Sequence, residues 1–510
     1  MSSIFSGLNV ASRALQTHKR AVDVTSHNIA NANTEGFSRQ RPVFSTATPQ
    51  LLPGVGHVGN GVEIEGIERV RDGFLDRQVR NEKQYLGYWE SRQEALGQIE
   101  TLAMEPTETG FNQALEDFFD AWQELSINPG SSPVRTTLME NSQTLTNTVS
   151  HLNGQLDNLE EDGNKNIEMQ IEEINNLVNN IANTNQQIAN VKNRGETPND
   201  LMDQRDLLVD KLSEIIDFSV TEFENGSINI KFRGQDLVRE SMTNELIVDY
   251  ENGGELQIYL ERDGEKHGSA LEVFREHSYT VNRDTLEGLI SARDEVANFQ
   301  KEFNSVIDSM AQLINEQHGE GYDLHGNAGE NYFVQDNLGN WSVNEEIVSD
   351  VGKIAVAQEI GGEEGDGLNA LEIGELRNTK LTKTYVIEVE ENGEITEEEI
   401  AFEDIEEGQE YAIRYRKPEG EESGQAIIED VYRNLISSLG VKTGESQKMV
   451  ENQETLLNEL LNKRESVSGV SLDEEMSNMI LFQRGYQAAS RVVTTLDEML
   501  DTIVNRMGIT

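Results

Sequence analysis

The chain contains no cysteine. That removes a disulfide framework, thiolate chemistry and cysteine-ligated zinc at once. Basic residues are scarce: 41 Lys and Arg stand against 93 Asp and Glu, for a formal net charge of −52. A nucleic-acid partner is excluded on that balance, because binding to phosphate runs on basic patches, and so is an anionic membrane surface. Such acidity fits a saline or alkaline setting, where it keeps the protein soluble while counterions screen self-repulsion. No apolar run approaches the ~18 residues that a transmembrane helix requires. Met1–Leu15 has no apolar segment of the kind found in secretory signal peptides, and its basic residues come late. If the chain works outside the cell, it is expected to leave without a cleavable signal peptide. At 510 residues with 36% hydrophobic content, the expectation is roughly two to four domains with modest cores.

What the chain does have is a matching apolar stripe at each end. Near the C-terminus, Met479, Phe482, Tyr486, Ala489, Val493, Leu496, Leu500, Ile503 and Met507 recur in alternating steps of three and four, the spacing of a coiled-coil seam. Ser471 followed by Glu474 is a capping box that marks the start of this helix. Near the N-terminus, Ile4, Leu8, Ala11, Leu15, His18, Val22, Thr25 and Ile29 repeat the pattern. Neither helix buries its stripe alone, and each is the simplest partner for the other. Charge agrees: Met1–Arg41 carries five basic and two acidic residues, Ser471–Thr510 three basic and six acidic.

Between the ends, Pro42–Arg71 reads as turns with short strands at 62–65 and 67–70. Helical pattern follows from Asp72 to Ala103 and from Phe111 to Leu125, with Trp122 on the apolar face. A long helix begins at Ser132-Pro133; its seam runs Leu138, Leu145, Leu152, Leu156, Leu159, then Ile167, Ile171, Ile174, Val178, Ile181, Asn185, Ile188, with Gly163 a candidate kink or break. Asn185 on that seam is read as fixing register. Asp200–Ile216 is a further helix. Phe218–Thr280 switches to period two, with hairpin turns expected at Asn225-Gly226 and Asn252-Gly253-Gly254. Helix returns at Leu286–Gln317, Asp366–Arg377, Glu429–Gly440 and Glu445–Val467. Lys383–Asp430 holds seventeen acidic and four basic residues yet still alternates across Asn392-Gly393, as a β-hairpin or partly disordered insert does.

The fold class is therefore mainly α with inserted β modules (α+β). The expected domains are a terminal coiled coil (1–41 with 469–510), a helical middle (42–216, 286–382 and 428–468), an outer β module (217–285) and an acidic β insert (383–427).

Catalytic constellations are thin. His318, Asp323 and His325 form the one suggestive cluster, but the spacing matches no known metal site and the segment is rich in Gly and Asn, so a structured loop is expected. Asp200, Asp203, Asp206 and Asp210 share one helix face beside Arg205 and Lys211, which reads as a solvated or salt-bridged face. Gly361–Gly367 lacks the Lys-Ser/Thr of a phosphate loop, GDGLN lacks the ligands of a calcium loop, and the run Glu388–Glu410 reads as solvated. No catalytic, cofactor or metal site is assigned.

Asn28–Arg41, NIANANTEGFSRQR, resembles the flagellar axial family of rod, hook and hook-associated proteins, whose first helix ends in an Asn/Ala-rich stretch and a Thr-x-Gly-aromatic turn. Gly469–Gly508, with NMILFQRGYQAASRVVTTLDEML at its centre, is similar to that family's terminal helix. Interior stretches narrow the resemblance to the hook-associated members at the hook–filament junction: Gly110–Val149, Leu201–Glu214, Asn315–Phe333 and GDGLNALEIGELRN. Glu35 and Phe37 stand where the family's turn usually has Pro and Tyr, and Thr384–Gly424 matches nothing in the family.

The resemblance implies a non-enzymatic structural protein, exported through the flagellar type III apparatus and placed outside the cell between hook and filament. Its implied partners are further copies of itself in a ring, the hook protein, the next hook-associated protein and an export chaperone at the C-terminal end. Assembly contacts are then expected of Ile4, Leu8, Ala11, Leu15, Val22, Ile29, Phe482, Tyr486, Val493, Leu496, Leu500 and Ile503, with Asn31, Gly36 and Phe37 in the turn. The alternatives are another hook-associated protein, or a secreted adhesin or hydrolase active in its outer inserts.

Overall fold

The structure is a computed structural model and describes residues 2–52, 56–103, 110–251, 255–262, 265–269, 283–336, 339–360, 365–391, 394–400, 411–416 and 427–502. The expected turns at Asn252-Gly253-Gly254 and Asn392-Gly393, the end of the expected β module at 270–282, and Ile503 and Met507 of the C-terminal stripe lie outside them. Two compact units emerge: Met1–Tyr88 with Glu168–Glu287 and Val450–Thr510, and Trp89–Ile167 with Gly288–Met449.

In the first unit, α1 (Ser2–Ala30) leads into β1 (Gln40–Thr46), β2 (Gln50–Leu52), β3 (Gly56–Val58) and β4 (Val62–Arg69). The sequence suggests two short strands after Gly61, and the structure has one. β1 and β4 pair antiparallel, and the register slips by one at Val43/Phe44, leaving Glu65 as the extra residue of a bulge. The start of α2 (Gly73–Ala103) follows. The later half of α4 (Ser132–Lys192), α5 (Asn199–Ile215), a four-stranded and a three-stranded sheet, the C-terminal part of α9 (Ile428–Ser468) and α10 (Leu472–Asp501) complete this unit. The four-stranded sheet is ordered β5-β6-β7-β8 and the three-stranded one β11-β10-β9; their strands are β5 (Ser219–Glu222), β6 (Ile228–Phe232), β7 (Gln235–Arg239), β8 (Met242–Thr243), β9 (Glu245–Glu251), β10 (Glu255–Arg262) and β11 (Glu265–Ser269).

The two sheets are fastened to α4 by asparagines. Asn185, on the helix seam, donates to Ile228 O at 2.9 Å and accepts from Ile228 N at 3.1 Å. Asn175 does the same for Leu246, at 2.8 and 2.9 Å. A carboxamide carries one acceptor and two donors in the spacing that a strand neighbour offers. Each asparagine therefore satisfies both backbone groups of one strand residue from the surface of a helix.

The second unit is built on aromatic packing. Along α3 (Phe111–Ile127) the buried positions Phe111, Ala114, Leu115, Phe118, Phe119, Trp122 and Leu125 fall on one helical face. Trp122 packs 5.3 Å from Tyr332, Phe111 4.7 Å from Tyr432, and Phe303 of α6 (Thr285–Glu320) 5.3 Å from Phe111. A small hairpin, β12 (Phe333–Gln335) with β13 (Trp341–Val343), then α7 (Glu345–Ser349) and α8 (Leu368–Glu375) close the core. Asn315 of α6 holds Phe333 by both backbone groups, each at 2.8 Å, in the same manner as Asn185 and Asn175. The acidic insert forms a sheet rather than a lone hairpin: β14 (Thr382–Glu391) lies between β15 (Glu394–Ile400) and β16 (Ala412–Arg416).

Two glycine readings are corrected. Gly163 does not divide α4, which runs unbroken over Ser132–Lys192, and Gly440 and Gly444 do not separate two helices, because α9 runs unbroken over Ile428–Ser468. A helical glycine costs about 1 kcal/mol against alanine, less than the burial supplied by Leu156 and Ile167 on either side of Gly163. Space around Gly440 is open. Gly440→Ala is therefore expected to stabilise the chain by about 0.5–1 kcal/mol in chemical denaturation. Asn185→Ala, which leaves two buried strand groups unsatisfied, is expected to cost about 2 kcal/mol in the same assay.

Candidate assembly interface at the chain ends

α1 and α10 lie antiparallel. Gly7 faces Leu496, with a Cβ at position 7 falling 3.5 Å from the leucine Cδ1. The His18 ring occupies the space that a side chain on Gly485 would need, and lies 6.5 Å from Phe482. Asn28 donates to Glu475 at 3.0 Å. Residue numbers across the pair sum to the same value at all three places, so the register is continuous. Of the expected seam, Ala11 is buried and Leu8, Leu15, Val22 and Ile29 are half-buried; Phe482, Val493, Leu496 and Leu500 are half-buried and Tyr486 is exposed. The side chain of Ile4, and Ile503, lie outside the described residues. Sequence reasoning missed Gly7 and Gly485, whose signal is a glycine inside each stripe where helices approach closely. It also missed Asn28 and Glu475.

The end of α1 is fixed within the chain. Asn28 is buried and pairs with Gln40 by both backbone groups, at 2.9 and 3.0 Å. Asn31 donates to His27 O at 3.0 Å and closes the last turn. Gly36 has φ +75° and sits on Leu207, whose Cβ would lie 3.0 Å from any added Cβ. A left-handed backbone and lack of room both demand glycine there. The Phe37 ring meets the His27 ring edge-on at 5.4 Å. Ser471 caps α10 by accepting from Glu474 N. Glu474 and Glu475 then bind Arg39, at 2.9 and 2.8 Å, so half of the expected capping box is spent on the turn.

The aspartates of α5 are salt-bridged, and two of them are buried. Asp200 accepts from Gln40 at 2.7 Å. Asp203 accepts from Ser38 N at 3.1 Å and Arg69 at 2.8 Å. Asp206 binds Arg69 at 2.8 Å and Arg71 at 3.0 Å. Asp210 binds Arg80 at 2.6 Å and Arg464 at 2.9 Å. Burial by itself raises the Asp206 carboxyl, but Arg71, Arg205 and Arg69 together hold it below its ordinary value. One helix face thus ties the N-terminal turn, β4, α2 and α9 together.

In the second unit, His318 is buried and uses both ring nitrogens on backbone. Nε2 accepts from Ala355 N at 2.9 Å, so Nδ1 carries the proton and donates to Glu330 O at 2.5 Å. Burial lowers its pKa to about 4. His325 lies 3.1 Å from Asp350, and Asp323 binds the backbone of His325 and Asn327, each at 2.8 Å. The expected structured loop is what forms. A second loop of the same D-x-x-G-N pattern follows: Asn340 N donates to Asp336 at 2.9 Å, as Asn327 N does to Asp323, with φ +80° at Gly326 and +86° at Gly339. That repeat was legible in the sequence and was missed. Buried Asn369 joins the two interior motifs, donating to Ala355 O at 2.9 Å and accepting from Gln317 at 3.1 Å.

Comparison with known proteins places these parts. Residues 8–37 match the family described as flagella basal body rod protein, 462–507 the flagellar basal body rod FlgEFG protein C-terminal family, and 96–333 the flagellar hook-associated protein FlgK helical domain. Flagellar hook-associated protein 1 of Bacillus subtilis (strain 168) is 30% identical, over 100% of this chain and 99% of its own. This chain belongs to the flagellar hook-associated protein 1 family. Its counterpart in Escherichia coli (strain K12) is 25% identical over 99% of both chains. The structure of the flagellar hook junction protein FlgK from Burkholderia pseudomallei shares the fold, with a TM-score of 0.55 at 15% identity, covering 77% of this chain and all of that one. The two rod-family matches in this hook-associated chain fall on α1 with its turn and on α10 with the end of α9, the segments that pair here.

Two outcomes test the electrostatics. Asp206 has a depressed folded pKa, so its stabilisation holds above the unfolded value near 4 and fades as pH falls through the folded value. Asp206→Asn is expected to destabilise the chain by about 3 kcal/mol at neutral pH and to flatten the acid limb of a denaturation profile. His318 acts in a different window. With about 4 folded against 6.5 unfolded, its stabilisation is complete above pH 6.5 and falls by about 3 kcal/mol as pH drops to 4. His318→Gln is expected to remove that slope in thermal melts across the same range.

Proposed function

We propose that this chain is a structural, non-enzymatic subunit of the flagellum that joins the hook to the filament. One observation carries the reading beyond family membership. With α1 seated along its seam, α10 still exposes apolar residues away from that seam in two groups, Leu481, Val492 and Met499 in one and Met476 and Ile480 in the other, all 49–64% exposed. A helix apolar on two sides is built for a second partner. Neighbouring copies, the hook protein below and the next hook-associated protein above supply that partner in a tube. Before assembly the same residues need a cover, which is the role read for an export chaperone at the C-terminal end. No described helix is long and apolar enough to cross a membrane, and an extracellular position reached by type III export fits this assembly route. The relatives are named as hook-associated proteins, which favours this role over an adhesin or hydrolase.

The expected seam residues then have two duties. Leu8, Ala11, Leu15, Phe482, Val493 and Leu496 hold α1 to α10, and that pair presents its outer faces to neighbours. Leu496→Asp is expected to leave the second unit folded, as judged by its thermal transition, and to abolish filament formation in cells. Normal filaments would remove the seam from the assembly. Deletion of the gene is expected to leave hooks without filaments in electron micrographs, with unpolymerised flagellin in the medium. Intact filaments would overturn the junction role itself.

A further inference from the structure

The arginines that hold the α5 aspartates also face a cavity of about 650 Å³ in the first unit. Arg69 and Arg71 reach it from the end of β4 and the residues after it, Arg77 and Arg80 from the first turns of α2, and Arg205 from α5. The carboxylates in its wall are Asp76, Asp206 and Glu222, so five arginines face three acids. Groups ion-paired behind the wall do not cancel the surplus. Asp203 and Asp210 add two negative charges, whereas Arg464 on Asp210 and Lys192 on Glu222 add two positive ones. In a chain with a net charge of −52, this cavity is locally cationic.

The surplus is held largely out of water. The side chains of Arg69, Arg71 and Arg80 are 13–16% exposed, and that of Arg205 is 3% exposed. A guanidinium removed from water is costly until its charge and its N–H groups are matched. Matching is incomplete here. Arg69, Arg71 and Arg205 converge on the one carboxylate of Asp206, at 2.8, 3.0 and 3.3 Å. Arg205 Nε is buried and meets no acceptor among the described residues. Asp76 Oδ1 is buried without a donor, yet its carboxylate is already bound by Arg71 at 2.6 Å. Arg77 is exposed, lies 6.0 Å from the centre of the Phe74 ring, and makes no ion pair or hydrogen bond among the described residues. Val209, Phe218 and Val220 make part of the wall apolar, which lowers the local dielectric and strengthens charge contacts.

We infer that this cavity is an oxyanion-binding site, which takes a carboxylate, phosphate or sulfate group between Arg77 and the arginines behind it. Guanidinium groups present paired donors in a plane that fits such groups. Arg77 is the arginine with all its donors to spare, and the buried ones set the charge that the anion answers. An acidic side chain of an adjoining subunit and a dissolved phosphate or sulfate offer the same chemistry. The first source rests on the reading of the chain as an assembly subunit; the site itself does not.

Binding is measured by titration calorimetry on the purified full chain, with sodium phosphate, sodium sulfate and hexaglutamate in turn, at an ionic strength held constant with sodium chloride. Saturable binding of at least one probe is expected, and Arg77→Ala is expected to weaken it about tenfold or more. Because Arg77 makes no ion pair among the described residues, this variant is expected to keep the parent's thermal transition in chloride. Arg433→Ala, at an exposed arginine of the second unit, is expected to bind as the parent does. Arg77-dependent binding of phosphate or sulfate supports the site with a dissolved oxyanion as its ligand. The same dependence for hexaglutamate alone supports it with the carboxylates of a protein partner. Failure of all three probes to bind saturably would overturn the site. So would binding that Arg77→Ala leaves unchanged, or that Arg433→Ala weakens equally, because either reports general charge attraction. The junction reading is decided separately, by the filaments of the deletion strain.

Discussion

The aspartate face of α5 is the constraint on which the first unit depends. A carboxylate taken out of water is costly unless it is paired, and Asp203, Asp206 and Asp210 are paired with arginines from three different parts of the chain. Arg69 is the one arginine on the buried Asp203 among the described residues, whereas Asp206 and Asp210 each hold more than one. The N-terminal turn is held by the same face through Ser38 N and Gln40, and the turn in turn holds the start of α10 through Arg39. The terminal helix pair is therefore placed at its root by charge and along its length by apolar contact. A chain with few cations puts several of its arginines here and leaves most of its surplus carboxylates to solvent.

A second device recurs across both units. Four helix-borne asparagines, Asn28, Asn175, Asn185 and Asn315, each pair with the N–H and C=O of one strand residue. His318 and Arg135 do comparable work on irregular backbone; Arg135 reaches the carbonyls of Pro129 and Ile354, each at 2.8 Å, and burial lowers its pKa to about 10. Small sheets with few strands satisfy little backbone by themselves. Polar side chains on long helices supply the missing partners, and so short strands are tolerated along a mainly helical chain.

The surfaces left over include exposed apolar groups in both units. α10 exposes apolar residues away from its seam with α1, and the second unit leaves Ile127 and Leu368 exposed. Acidic charge elsewhere disfavours indiscriminate association. Specific contact is then confined to the places where apolar groups or cations interrupt the acidity. The insert, without counterpart in the family resemblance, is still tied to the framework by Lys383 on Glu302 and by Tyr415 N, which donates to Ser309 Oγ at 3.0 Å.

Much of this was legible in the residues. The alternating three- and four-step stripes identified α1, α4 and α10 because side-chain period reports helix phase directly. The Thr-x-Gly-aromatic turn and the terminal helix pattern pointed to the axial family, and Trp122 announced the face of α3. The antiparallel register of the end helices was not legible, since it depends on Gly7 and Gly485 meeting Leu496 and His18 across more than four hundred residues. Gly163, Gly440 and Gly444 looked like breaks because local propensity favours breaks, and neighbouring burial overrode it. The carboxylates of α5 were visible as a face, but only the tertiary structure decided that arginines from β4, α2 and α9 converge on them. Sequence by itself determined the periodicities, the turn chemistry and the charge, all local or summed properties. Register, burial and the pairing of distant charges belong to the tertiary structure, because each is a relation between residues that the chain order keeps apart.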